Sequence, residues 1–201
     1  MKDLLDKLKN ATPVIAGDLE HYLDADDEML MIAEYIKKNN QHNEYVEPKR
    51  IKYLYSPKPK KDGGKFILTE LFKRSDMEKM VNDEYDFILT CFYDVWKNLD
   101  PEQKVIVMDK ALCGIEVVED KIKKKSPDSK EYLDNMHFYG AEKVMRISEQ
   151  IDMSCLNAIE QRKENAKNPE SYFAIRRSSD GYLIGAIGAE IDSSNKKHAV
   201  E

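Results

Sequence analysis

Apolar residues along this chain switch between two spacings. Over residues 1–48 they recur every three or four positions, the period of a helix. Leu4, Leu5 and Leu8 fit one face, and Thr12-Pro13 interrupts it. Met29, Ile32, Ala33 and Ile36 then stripe a clearer helix, predicted over 26–38. Asp26, Asp27 and Glu28 sit at its positive end and Lys37 and Lys38 at its negative end, which suits the macrodipole. From Lys49 the period drops to two. Ile51, Tyr53 and Tyr55 alternate in a predicted strand, followed by a loop with two prolines and Asp62-Gly63-Gly64. Residues 65–72, KFILTELF, read as a second strand, consistent with a hairpin. Residues 85–92, YDFILTCF, are the most apolar stretch, and continuous apolar character predicts a central strand buried on both faces.

Asp100-Pro101-Glu102-Gln103 is a strong helix start. The Asp accepts from free N–H groups, Pro suits the first helical position, and Gln103 completes a capping box. The pattern Val105, Met108, Leu112, Ile115 and Ile122 predicts a helix running to about Lys123. After a basic break at Ser126-Pro127, Leu133, Met136, Val144, Ile147, Ile151, Leu156 and Ile159 predict one long helix over 128–166, bent at Gly140. The tail reads as a β-hairpin turning at Ser178–Gly181. The predicted fold class is α+β: a small three-stranded sheet packed by the 101–123 helix and the long second helix. Three segments follow: an acidic helical region at 1–48, an α+β core at 49–168, and a hairpin with tail at 169–201.

Composition narrows the function classes. No apolar run approaches a membrane span of about 20 residues, and the charged start lacks a signal peptide's apolar core, so a cytoplasmic protein is expected. Cys91, Cys113 and Cys155 are widely spaced and form no CxxC pair, the pattern of reduced buried thiols. No glycine-rich phosphate loop is present. Charge is lopsided. Residues 1–48 hold eleven acidic and five basic side chains, and residues 49–65 reverse this with seven basic and one acidic. Two readings follow: self-complementary packing, or a partner surface at Asp24, Asp26, Asp27 and Glu28. A nucleic-acid alternative would use Lys49, Arg50, Lys52, Lys58, Lys60 and Lys61, with Tyr53 and Tyr55 as stacking rings. The acidic whole, with pI near 5.4, argues against a dedicated nucleic-acid binder.

Residues 85–115 resemble the phage metallopeptidase family, small zincin-like proteins. The carriers are Tyr85-Asp86-Phe87-Ile88-Leu89, then Trp96, then Leu99-Asp100-Pro101-Glu102-Gln103, then Asp109-Lys110-Ala111-Leu112-Cys113-Gly114-Ile115. The resemblance covers roughly residues 49–140. It implies a helix that carries Asp-His-Glu-Leu-Cys-His. Asp109, Leu112 and Cys113 match that motif. Lys110 stands at the first zinc-binding His, Ala111 at the catalytic Glu, and Gly114 at the second His. Asp128 stands where the family's third His would fall. Two imidazoles one turn apart hold the metal, and the Glu takes a proton from its water. A cation, a methyl and a hydrogen do none of this.

The expected function is therefore a non-catalytic, phage-type pseudo-metallopeptidase that acts by protein binding and needs no cofactor. It would be a virion component or an inhibitor of a host factor, with a phage or host protein as partner. A competing reading is a zinc enzyme rebuilt around Asp109 and Cys113, which share a helix face at i, i+4, with His137 from the next helix. A Cys155–His137 pair is excluded on one continuous helix, since eighteen residues span about 27 Å.

Overall fold

The structure is a computed structural model that describes residues 2–8, 11–15, 18–62, 65–81, 84–119, 121–127, 131–167, 171–176 and 183–189. Contacts divide the chain into two units, Met1–Ala158 and Ile159–Glu201. In the first, α1 (Lys2–Leu8) and a two-residue strand β1 (Leu23–Asp24) precede α2 (Asp26–Asn39). Two 3-10 turns, Gln41–Asn43 and Pro48–Arg50, lead into β2 (Ile51–Ser56). Next come β3 (Lys60–Asp62), β4 (Lys65–Ile67), β5 (Thr69–Lys73), α3 (Asp76–Val81), β6 (Phe87–Phe92) and α4 (Tyr93–Trp96). They are followed by α5 (Pro101–Leu112), β7 (Ile115–Val118), β8 (Lys121–Lys124), α6 (Leu133–Tyr139) and α7 (Ala141–Lys167). The second unit begins within α7 at Ile159 and holds β9 (Ser171–Arg176) paired antiparallel with β10 (Leu183–Ala189). The expected turn at Ser178–Gly181 lies outside the described residues.

The apolar stretch at 87–92 is central, as its sequence predicts. The sheet runs β1-β2-β6-β5. β2 pairs parallel with β6, Ile51 opposite Phe87 through Ser56 opposite Phe92. β5 pairs antiparallel on the other edge, Lys73 opposite Phe87 through Thr69 opposite Cys91. The hairpin expected between residues 51–55 and 65–72 is therefore corrected: β6 lies between those strands, and the small hairpin is β3–β4 instead. The parallel pairing with β2 and the antiparallel pairing with β5 together satisfy both backbone edges of the most apolar strand. β1 adds a fourth strand to the expected three.

The period-two residues Ile51, Tyr53 and Tyr55 all point inward, with Leu89 and Cys91 of β6 beside them in the core. Met29, Ile32 and Ile36 of α2 and Met108 and Leu112 of α5 are also buried there. Burying each large apolar side chain is worth about 1.5–3 kcal/mol. Inside this core Glu28 is 1% exposed. Its carboxylate accepts from Trp96 Nε1 (2.9 Å), from Lys104 Nζ (2.8 Å), from the Thr12 hydroxyl (2.8 Å), and from the Tyr55 hydroxyl. Four donors offset its desolvation.

α5 opens on the predicted capping box: Asp100 accepts from Gln103 N–H at 2.9 Å and its own N–H donates to Gln103 Oε1 at 3.1 Å. The helix ends at Leu112, not Lys123. The β-branched run Ile115-Glu116-Val117-Val118 leaves it as β7 and pairs with β8, Ile115 opposite Lys124. Glu119, at φ 52°, takes the left-handed conformation in the turn. The expected long second helix is two. Gly140 at φ 90° caps α6 and starts α7, a conformation that costs an L side chain but not glycine. On α7 the inward stripe is Val144, Ile147, Ile151 and Cys155, and Leu156 faces outward.

Candidate functional site

Two faces of α5 carry chemistry. On one, the Lys110 ammonium lies 2.8 Å from each carboxylate oxygen of Glu131. The Ser148 hydroxyl donates to the same carboxylate at 2.6 Å. Glu131 comes from the segment before α6 and Ser148 from α7, so three elements converge on one ion pair. One turn along, Gly114 is walled in. A Cβ there would meet the Tyr132 hydroxyl at 3.0 Å, the Ala111 carbonyl at 3.1 Å and Leu71 Cδ2 at 3.4 Å. The Tyr132 hydroxyl is itself held, donating to the Lys125 carbonyl at 3.1 Å.

On the other face lies Asp109, fully buried. It accepts from Asn43 Nδ2 at 2.6 Å, from Asn135 Nδ2 at 3.1 Å, and from His42 Nε2 at 3.1 and 3.2 Å. His42 is lodged edge-on against the Phe138 ring. The Asp109 hydrogen bond raises the His42 pKa above its ordinary value, against the opposing effect of burial. Cys113, one turn on from Asp109, is buried, and burial pushes its thiol up to about 12. The donor atoms of His42, Asp109 and Cys113 all lie within 4.8 Å of one another. Asn43 Oδ1 and Asn135 Oδ1 are buried with no hydrogen-bond partner.

The family described as "Putative phage metallopeptidase" matches residues 20–152, more than half of the chain. The chain belongs to this phage metallopeptidase family. No curated protein and no solved structure matches it. The family match runs from residue 20 to 152, wider than the expected 49–140, so Asp24–Glu28 fall inside it.

A zinc ion has no fit at Lys110, Ala111 and Gly114, the positions to which the motif resemblance points. Lys110 presents a cation already paired with Glu131, Ala111 has no polar group, and the space beside Gly114 is taken by Tyr132 and Leu71. Asp128, aligned with the third ligand, lies outside the described residues.

The structure separates the other expected residues. His137 is exposed on α6 and is not in the Asp109–Cys113 group; His42 takes that place, which corrects the rebuilt-site assignment. Spacing from the motif helix could not reveal a side chain 67 residues earlier in a polar 3-10 turn. Glu28 is in the core, so a partner-facing role for it is also corrected. Asp24 and Asp26 both bind the Lys52 ammonium, while Asp27 is exposed. Of the basic set, Arg50 pairs with Asp86, Lys60 with Glu70, and Lys61 lies 4.6 Å over the Phe66 ring. Lys49 and Lys58 are exposed. Tyr53 and Tyr55, the supposed stacking rings, are buried at 0% and 1% exposure and cannot receive a base. Part of the lopsided charge is thus met within the chain, Asp24 and Asp26 against Lys52. Among the described residues no helix is long and apolar enough to cross a membrane.

Proposed function

We propose that this member of the phage metallopeptidase family is a pseudo-enzyme that acts by binding a phage or host protein. The observation that carries the reading is the Lys110–Glu131 ion pair. A metal-activated hydrolysis needs neutral or anionic ligands around the ion and a base beside its water. Here the aligned helix offers an ammonium, a methyl group and a glycine. An ammonium paired with a carboxylate at 2.8 Å holds a positive charge on that face without a metal. With the reaction absent, binding is the remaining use of the scaffold, as a virion component or an inhibitor of a host factor. Asp27, exposed at the start of α2, is the member of the acidic group best placed to meet a partner.

The test has two arms. The chain, with and without added zinc, is incubated with a fluorogenic peptide library, and no cleavage above the blank is expected. Cleavage that Lys110→Ala leaves intact and a chelator removes overturns the reading. The chain is then used as bait in phage-infected lysate. Capture of one protein, weakened by Asp27→Lys, supports the binding role; equal capture by wild type and Asp27→Lys removes Asp27 from it.

A further inference from the structure

We propose that His42, Asp109 and Cys113 form a binding site for one thiophilic divalent cation of the zinc class, separate from the family's peptidase position. Three observations carry this. First, the donors are an imidazole nitrogen, a carboxylate oxygen and a sulfur, all within 4.8 Å of one another. In a tetrahedral zinc site neighbouring ligand atoms lie about 3.3–3.6 Å apart, so small side-chain shifts close the set. A sulfur and a nitrogen disfavour magnesium and calcium, which take oxygen.

Second, the supporting shell exists. Asp109 and Cys113 are one helical turn apart on one face of α5. Asn43 and Asn135 each donate an amide N–H to the Asp109 carboxylate and fix its orientation, as outer groups of metal sites do. Third, the same two asparagines, at 0% exposure, each leave a buried amide oxygen without a donor. Each oxygen is one amide width from the nitrogen bound to Asp109. A cation, or a water it carries, supplies the positive partner these oxygens lack.

The site is distinct from the aligned peptidase position, because Lys110 and Gly114 turn instead toward Glu131 and Tyr132. It is also closed: Asp109 and Cys113 are buried and the His42 side chain is 15% exposed. The ion would join the Gln41–Asn43 turn to α5. On binding, the Cys113 thiol releases its S–H proton to solvent, and His42 binds as a neutral ring through Nε2, with its one remaining ring proton on Nδ1. No electron is transferred.

The test is a cobalt(II) titration of the full chain, purified without chelator or affinity-tag metal. A thiolate-to-cobalt charge-transfer band should grow and saturate at one equivalent, and zinc should displace it. Cys113→Ser should abolish the band. His42→Ala should weaken binding at least about tenfold in a chain whose fold is checked by circular dichroism. Lys110→Ala should bind as wild type does. A folded wild-type chain that shows no band overturns the proposal, as does His42→Ala binding with unchanged affinity. If Cys113→Ser fails to fold, the His42→Ala result decides.

Discussion

Lys110 and Glu131 meet at 2.8 Å on the face of α5 to which the motif resemblance points. Glu131 is 8% exposed in its side chain and Lys110 33%, so the carboxylate depends on this ammonium more than the ammonium depends on it. Lys110→Ala is expected to lower stability by about 1–2 kcal/mol, since it removes the cation beside a mostly buried carboxylate. Lys110→Ala combined with Glu131→Gln should recover part of that loss. Urea denaturation of the single and double variants measures the coupling.

Gly114 is constrained by space. Gly114→Ala sets a methyl 3.0 Å from the Tyr132 hydroxyl and 3.1 Å from a backbone carbonyl. A loss of about 1–3 kcal/mol is expected, the range for overpacked sites. Tyr132→Phe in the same chain removes the nearer obstacle and should restore part of it. Restoring the motif with Lys110→His, Ala111→Glu and Gly114→His should therefore give a destabilised chain, readable as a lower Tm.

Lys104 and Glu28 form an ion pair that is 5% and 1% exposed. Lys104→Ala leaves a buried carboxylate short of its cation, at an expected cost of about 3–5 kcal/mol. Lys104→Met keeps the stem packed over Trp96 and, paired with Glu28→Gln, should cost much less. Thermal melts of the three chains separate charge from volume.

Asp86 carries the acid dependence. Arg50 donates to both of its oxygens, from Nε at 2.9 Å and Nη2 at 3.1 Å, and the Lys79 ammonium bonds it as well. The Arg50 hydrogen bonds are the main cause that holds its pKa down at about 2. In the unfolded chain the group titrates near 3.9. The folded pKa is the lower one, so the stabilisation is complete above about pH 4 and is lost as pH falls toward 2. Asp86→Asn should cost about 1–2 kcal/mol at pH 7 and clearly less at pH 2.5, the cost vanishing only below pH 2. Denaturant titrations at pH 7 and pH 2.5 test the difference.

Local chemistry was legible in the sequence and long-range pairing was not. The Asp100–Gln103 capping box, the α2 stripe and the centrality of 87–92 all rest on residues within one or two turns of each other. The end of α5 was missed because Ile115 and Ile122 keep helical spacing, while the β-branched run and the β7–β8 partner decide for strand. The 51–72 hairpin was misread because turn-rich loops signal a reversal without naming the strand that comes back. His42 was invisible for a stronger reason. Its partner is Asp109, and a fold alone sets that distance. The asparagines at 43 and 135 give no signal until a buried carboxylate needs them.

The parallel pairing of β2 with β6 has a consequence for synthesis. As the chain leaves the ribosome, Ile51–Ser56 emerges some thirty residues before Phe87–Phe92, the strand that completes it. Until then β2 is an apolar ribbon with open hydrogen-bonding edges, and β1 can cover only two residues of one edge. Nascent chains stalled between these strands are therefore the aggregation-prone species of this protein, and a chaperone that holds extended apolar segments should bind there and let go once Phe92 is out.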